Sequence, residues 1–423
     1  MKLKLIVNGS ESPEDYKLLR STIATVASLR KNAILRFTSE RLVIISTPTM
    51  MSNNSALLGG DTGQLWCTIP RDVFSLYNVI SARDLNTITM ECNCDLLLNV
   101  LKKYDRVIGQ GGDSAMTIKL QSMPEWNMNP ALTEEGKSLN SSKPNPICAL
   151  GVTFEELIHT AYDGHVGSMT TNSCNSISSK TIAHSFKVPA KLLFRVQDAR
   201  IQEPLINYTQ LMMYRLPTPQ GEWGHGFHNF IRRVERYTNL NYIKLSGRKL
   251  GTDGDTEYPH DNTNKHELKI VVNELDWYLE ICWNGPLEAI IQSQNETLET
   301  QSCLPNAEAS GSHDANGLVH DSMSIEEDTD FNVTVEQQPV DPTALNLQEN
   351  EDSFQHEVII RCKDWKVCAK LYDVFEEIVL AISHDESCVF HCSLNRGSIE
   401  DDSGEKAREH GQVIYYMARA KRV

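Results

Sequence analysis

The sequence predicts an α+β protein made of two similar halves, each a set of mostly antiparallel strands carrying two helices on one face. Three observations predict it. Segments with the alternating period of strands outnumber those with helical period. Four amphipathic helices are set among them, two in each half, at corresponding places. Many strand-to-strand connections are too short for the crossover that parallel pairing needs. At 423 residues the chain is long enough for two or three domains with cores of their own.

Met1–Val7 alternates as a strand does. Ser12 stands where a helix cap belongs, and Pro13 at the first helical position, where its missing N–H costs nothing. The spacing predicts a helix from Pro13 to about Arg30 that buries Tyr16, Leu19, Ile23, Val26 and Ala27. Its opposite face is Lys17, Ser21, Thr25 and Ser28, flanked by Arg20 and Lys31. A hairpin follows, Ala33–Thr38 and Arg41–Thr47. Beyond a polar loop at 50–63, strands are expected at Gln64–Ile69 and Thr87–Cys92. A second helix is expected from Asp95 to Ile108, stopped by the Gly-Gln-Gly-Gly run at 109–112. It buries Leu97, Val100, Leu101, Tyr104 and Ile108, and exposes Asp95, Asn99, Lys102, Lys103 and Arg106. Ala115–Ser122, Ile147–Phe154 and Lys180–Val188 read as strands, and 157–179 as a flexible insertion. The first domain is residues 1–191, and 192–206, which has no clean period, is a connector.

The second domain, 207–423, repeats the plan. A strand at Asn207–Leu216 precedes a helix at Trp223–Tyr237 that buries Trp223, Phe227, Phe230, Ile231 and Val234. That helix exposes His225, Asn229, Arg232, Arg233 and Arg236. Strands are expected at Asn241–Ser246, Glu267–Val272, Trp277–Trp283 and His356–Cys362. A fourth helix, from about Trp365 to Val379, buries Val367, Cys368, Leu371, Val374, Phe375 and Ile378. Its outer face mixes Lys366 and Lys370 with Asp373, Glu376 and Glu377. Leu380–Ser383, Cys388–Leu394 and Gly411–Ala418 are the last strands. The stretch 286–354 lacks the apolar density to offset its ordering entropy and is expected to be disordered.

The net charge of −16 does not exclude nucleic acid, because of where the charge lies. Residues 286–354 hold fifteen Asp and Glu and no Lys or Arg, leaving 41 acidic against 40 basic residues elsewhere. No apolar run approaches the ~18 residues of a membrane span, and no signal or transit pattern opens the chain. Eleven cysteines, scattered through apolar segments in no zinc-finger spacing, read as reduced, buried thiols.

Chemistry-bearing clusters give little. His384, Cys388, His391 and Cys392 have the composition of metal ligands, but on a strand Cys388 and Cys392 point one way and His391 the other. Cys92 and Cys94 read as buried thiols, and His225 and His228 lack a third ligand. The glycine run before Asp113 has no following Lys-Ser/Thr and is no phosphate loop. Ser293–Gln294 and Thr300–Gln301 are kinase-type dipeptides in a Gln-rich tract, where chance supplies them. The informative feature is the cationic faces of the second and third helices. Such faces neutralise phosphate with little sequence content. They also suit acidic proteins, so a DNA-binding subunit and an interaction scaffold both fit, and an enzyme with an unrecognised site stays open.

The order strand, helix, hairpin, with cationic helices and a mid-chain connector, resembles the sliding DNA clamps of the PCNA type. The blocks MKLKLIVNG, ILRFTSERLVIIST, LNTITMECNCDLLLNVLKKYDRV, FIRRVERY and HEVIIRCKDWKVCAKLYDVFEEIVLAISHDESCVFHCSL are similar to those of the fungal Hus-one-type subunit of the heterotrimeric DNA-damage checkpoint clamp. The resemblance covers both halves and leaves out 123–145, 157–179 and 286–354. It implies a non-catalytic nuclear protein, without cofactor or metal. It implies a ring made with two other clamp subunits and placed around double-stranded DNA at a single-strand junction by an ATP-dependent clamp loader. The loaded ring would recruit and activate checkpoint kinase machinery and assist repair. Carried over by helix position, Lys17, Arg20, Lys102, Lys103, Arg106, Arg232, Arg233, Arg236, Lys366 and Lys370 would line the hole. Phe194, Arg195, Val196, Ile201 and Pro204 of the connector would dock partners.

Overall fold

A computed structural model describes residues 1–48, 63–127, 146–161, 177–206, 211–237, 240–249, 266–274, 277–290, 355–394, 396, 398–401 and 404–420. The first half begins β1 (Lys2–Val7), α1 (Pro13–Leu29), β2 (Asn32–Phe37), β3 (Arg41–Ser46), β4 (Gln64–Pro70) and β5 (Leu76–Ile80). It continues β6 (Ile88–Asn93), α2 (Cys94–Gly109), β7 (Met116–Ser122), the single turn α3 (Pro124–Asn127), β8 (Ile147–Ala161) and β9 (Ile177–Leu192). Another single turn, α4 (Arg195–Asp198), leads to β10 (Leu211–Arg215), α5 (Gly224–Arg232), β11 (Tyr242–Lys249), β12 (His266–Asn273), β13 (Tyr278–Trp283) and β14 (Glu288–Ile290). Then come β15 (Gln355–Arg361), α6 (Cys362–Tyr372), β16 (Glu377–Ser383), β17 (Ser387–Leu394), the hairpin β18 (Ser398–Asp401) and β19 (Gly404–Ala407), and β20 (Gly411–Ala418).

The α+β class and the antiparallel pairing are as expected. One sheet of fourteen strands runs β14-β10-β16-β17-β20-β4-β3-β2-β6-β9-β8-β7-β1-β5, and a second of four runs β13-β12-β11-β15. Underneath this asymmetry lies a repeat. The first half contributes β4-β3-β2-β6 and β9-β8-β7-β1-β5, and the second contributes β13-β12-β11-β15 and β20-β17-β16-β10-β14. Strand by strand these are the same two sheets, with α1 and α2 answering α5 and α6. The halves join where β20 pairs with β4, Val413 opposite Cys67 and Tyr415 opposite Leu65.

The four long helices pack on one side of the sheets and on each other. Contacts join α1 to α2, α1 to α6 and α5 to α6, so the row is α2-α1-α6-α5. Tyr16 of α1 meets Tyr104 of α2 edge-on at 5.1 Å. Trp365 of α6 donates its indole N–H to the Ile231 carbonyl of α5 at 3.0 Å. Helix α2 starts where the Asn93 side chain accepts from the Leu96 N–H, a cap that stabilises by about 1 kcal/mol. It stops at the expected glycines, where Gly111 takes φ +81° and the Gly112 N–H reaches the Val107 carbonyl.

Several expectations are corrected. Helix α1 buries Asp15, Leu18, Thr22 and Thr25 besides the predicted stripe. With α2 on one flank and α6 on the other, more of its circumference is covered than a sheet alone would cover, so Thr25 is not on the open face. Ser12 holds the cap position without a side-chain hydrogen bond. In α2 it is Val107 that is fully buried, and Ile108 only packs against the core's margin. Helix α5 runs only to Arg232 and tightens into a 3-10 turn at Arg233–Arg236. Helix α6 is shorter than expected. Val374 lies exposed in the turn after it, and Glu377–Ser383 is strand, its alternate residues Ile378 and Leu380 buried. The pair Val374 and Ile378 satisfies a helical spacing, but the chain realises the period of two.

The two insertions are narrower than expected. The ribbon of β8 and β9 reaches Ala161 and resumes at Ile177. In the acidic stretch, Leu287 is buried in the core and Glu288–Ile290 pairs with β10. Segments 162–176 and 291–354, the latter with the Ser293–Gln294 and Thr300–Gln301 pairs, lie outside the described residues, as do 128–145 and the loop 49–62. Among the described residues nine cysteines are free and all but Cys282 are buried. Cys388, Phe390 and Cys392 face the main core, while Val389 faces the smaller cluster on the sheet's other side.

Candidate nucleic-acid interface

The surface of the helix row turned away from the sheets carries the predicted cations, and they divide into two kinds. On α2, Lys102, Lys103 and Arg106 project together, because positions i, i+1 and i+4 share the face opposite Leu101 and Tyr104. All three are exposed, and among the described residues none has an ion-pair partner. Lys103 lies over the Phe186 ring of β9, 4.5 Å from its centroid. After α5, Arg233 is half-buried and Arg236 exposed, and on α6 Lys366 is exposed. These three also lack an ion-pair partner among the described residues.

The remaining cations are already engaged. Lys17 lies 3.3 Å from Glu14 and 3.5 Å from Glu376. Desolvation pulls its pKa down, but the hydrogen bonds and charges of those two carboxylates outweigh it and hold the ammonium above its ordinary value. Arg20 gives its Nε–H to Asp105 at 2.9 Å, and Asp105 also accepts the Tyr16 hydroxyl. Arg232 reaches Asp373 at 2.6 Å, and the same carboxylate lies 2.8 Å from His228. Lys370 donates to the Ser28 carbonyl at the end of α1, 3.4 Å away. Arg30 is spent on the fold, donating to the Ser46 and Gly63 carbonyls at 2.9 and 2.8 Å.

One exposed cation escaped the sequence reading. Lys363 lies on α6 in the same stripe as Lys366 and Lys370. A helix start placed at Trp365 hid it; Cys362 at the start of the buried stripe was the available signal.

The connector is pinned to the outer face of the fourteen-stranded sheet. Arg36 donates to Asp198 at 2.9 Å and to the Ile201 carbonyl at 2.9 Å. The Tyr416 hydroxyl bonds Glu203. Ile201 is buried among Ile45, Trp66, Leu193 and Tyr416, so it anchors the segment and offers no docking surface. Phe194, Arg195 and Val196 are exposed, Pro204 is half-buried, and Leu205, which sequence reasoning passed over, is fully exposed.

A cavity of about 690 Å³ opens between the turn at 110–115 and the β8–β9 ribbon. Several of its polar groups are used locally. Ser10 donates to Asp113 at 2.5 Å, Ser114 accepts from the Glu155 N–H at 2.8 Å, and His184 pairs with Glu156 at 2.7 Å. Burial raises the thiols of Cys92, Cys94, Cys368 and Cys392, and holds His391 below its ordinary value. No helix among the described residues is long and apolar enough to cross a membrane.

Fold and surface together define a class: a twice-repeated α+β chain of antiparallel sheets that presents a row of helices carrying exposed cations. The chain belongs to the Hus1-like protein family, whose model matches residues 1–421. It is 55% identical to the DNA damage checkpoint control protein MEC3 of Saccharomyces cerevisiae, over the whole of both chains. It is 44% identical to the protein of that name from Eremothecium gossypii, again end to end. Among solved structures, the proliferating cellular nuclear antigen of Entamoeba histolytica aligns over 99% of each chain at 8% identity with a TM-score of 0.45, a likeness too loose to bear on function.

Proposed function

We propose that this chain is a non-catalytic subunit of a DNA-damage checkpoint clamp. It forms a ring with two other clamp subunits around double-stranded DNA in the nucleus, and the helix row faces the duplex. An ATP-dependent loader places the ring at a junction with single-stranded DNA, and the loaded ring engages checkpoint kinase machinery. Residues 1–191 and 207–423 are its two clamp domains. Exposed Phe194, Arg195, Val196 and Pro204, with Leu205, offer the connector's docking surface.

The observation that carries the reading is the repeat in strand order. Inside the chain the halves are joined by β4 against β20. The equivalent of β4 in the second half is β13, an edge of its sheet, and the equivalent of β20 in the first half is β9. Along 177–189, β9 pairs with β8 on one side and with nothing among the described residues on the other. Each subunit therefore offers one half of the same junction at each end. A head-to-tail contact of this kind builds rings when its rotation closes, and it covers edges that would otherwise invite aggregation. The cationic helix ends suit a sliding ring, which needs weak, sequence-blind phosphate contacts.

The test is charge reversal of Lys102, Lys103 and Arg106 to Glu. Retention of loaded clamp on circular DNA should fall while trimer composition is unchanged. Undiminished retention would favour a scaffold that meets acidic proteins.

A further inference from the structure

We infer that Asp105, Asp373 and Glu376 act as built-in counterions that hold the DNA-facing cations Arg20, Arg232 and Lys17 away from phosphate, and so set how strongly the ring grips. The inference rests on the reading that the helix row faces DNA.

The arrangement is not a scatter of surface pairs. All three carboxylates lie on or beside the helix row, and each reaches across from one helix to the next. Asp105 on α2 takes Arg20 of α1. Asp373, just past α6, takes Arg232 and His228 of α5. Glu376, beyond α6, takes Lys17 of α1, which Glu14 of α1 also holds. The geometry of the first two is fixed by further bonds. Asp105 is held by the Tyr16 hydroxyl, which also reaches the Leu101 carbonyl at 3.2 Å. Asp373 is held at the end of α6, where its N–H meets the Ala369 carbonyl. Arg20 and Asp105 are both partly buried, at 23% and 36% side-chain exposure, which keeps their pairing from being screened as a fully exposed pair would be.

The consequence is a charge pattern along the row α2-α1-α6-α5. Its middle, where α1 meets α6, has Lys17, Arg20 and Lys370 engaged within the protein. Among the described residues, the ends keep Lys102, Lys103 and Arg106 on α2 and Arg233 and Arg236 after α5 without an ion-pair partner, and α6 between them keeps Lys363 and Lys366. Those ends are beside the two open strand edges. Helix α2 packs on β9, and α5 packs on β13, with Phe227 against Trp283 at 4.9 Å. On ring closure the unpaired charge of α2 and of the turn after α5 in neighbouring subunits would gather at their junctions, with Lys363 and Lys366 of α6 between them.

Asp105, Asp373 and Glu376 are positioning residues on this account, and removing their charge should tighten DNA binding. The conservative variants are Asp105→Asn, Asp373→Asn and, because Glu14 also holds Lys17, Glu376→Gln combined with Glu14→Gln; each keeps one oxygen as an acceptor and exchanges the other for an amide nitrogen. In a salt titration of the assembled trimer on a duplex, each freed cation that reaches a phosphate should steepen the log–log slope by about 0.9. The gain in affinity over the parent should then shrink about threefold to fourfold as salt rises fourfold. Thermal unfolding controls for damage, and Lys102→Glu with Lys103→Glu and Arg106→Glu serves as the reference. Steeper slopes for the Asn and Gln variants support the inference. Unchanged slopes for them, with a shallower slope for the reversal, would overturn it and leave the DNA-facing reading standing. No change in any variant would overturn both.

Discussion

Among the described residues Arg396 is a buried cation whose loss should cost the fold heavily. Its guanidinium, 1% exposed, lies 2.7 Å from Asp15 of α1 and 3.0 Å from Asp72, and it donates to the Glu409 carbonyl at 2.7 Å. It thereby fastens the loop of the second half that carries β18 and β19 to the start of α1 in the first half, next to the β4–β20 junction. Replacing it by Met leaves Asp15 buried, with only Arg408 at 3.3 Å to answer it. Breaking a buried pair by removing one partner costs about 3–5 kcal/mol. Arg408 persists and Asp72 is 45% exposed, so water replaces part of what is lost and the lower end applies. About 3 kcal/mol corresponds to a folding equilibrium reduced about 150-fold. Urea unfolding of Arg396→Met, Asp15→Asn and the double variant would measure both the loss and the coupling. The double variant should be clearly less damaging than the sum of the singles, by about 1 kcal/mol or more. A loss for Arg396→Met below about 0.5 kcal/mol, or strict additivity, would refute the argument.

Among the cations, reversing Lys102, Lys103 and Arg106 should reduce DNA retention more than reversing Arg232, Arg233 and Arg236, because Arg232 is already held by Asp373; equal losses in a salt-challenge assay on circular DNA would contradict this. His391 is kept below its ordinary value of 6.5 by burial, so as pH falls through about 6.5 the unfolded chain takes up its proton first and stability drops. The slope from this residue is at most about 1.4 kcal/mol per pH unit, and His391→Gln should remove it from urea midpoints taken on either side of pH 6.5; an unaltered slope would be the contrary result. Cys67, Cys368, Cys388 and Cys392 are raised by burial and should resist alkylation in the native state, while Cys282, half-buried and pushed up to about 11, should be modified before the other cysteines among the described residues; mass spectrometry of the labelled chain reads the order. Excising residues 291–354 should leave the thermal transition in place, whereas a deletion beginning at 286 removes Leu287 and β14 and should lower it.

Much of the fold was legible because it depends on local period. Strands such as β1, β2 and β13 alternate cleanly, and α2 combines a regular apolar stripe with a glycine stop. The cations at 102, 103 and 106 were legible for the same reason, since a helix fixes which residues share a face. What could not be read is whatever depends on distant parts of the chain. Arg20 meets a carboxylate 85 residues away, Arg232 one 141 away and Arg396 one 381 away, and nothing in the sequence around any of them signals the partner. The connector shows the same limit. Ile201 and Val196 are alike in composition, and only the position of Trp66 and Tyr416 beneath them makes one an anchor and the other exposed. Short edge elements such as β5, β14 and the β18–β19 hairpin were missed because a few residues paired on one side carry too little pattern to stand out from loop.

The proposed ring requires that the edges of β9 and β13 be halves of the junction that β4 and β20 make within the chain. Native mass measurement of the complex isolated through this chain, with its subunits counted, tests it most directly. The expected result is one copy of this chain with one copy each of two other clamp-type chains. A lone chain, or an assembly without two other clamp-type chains, would contradict it.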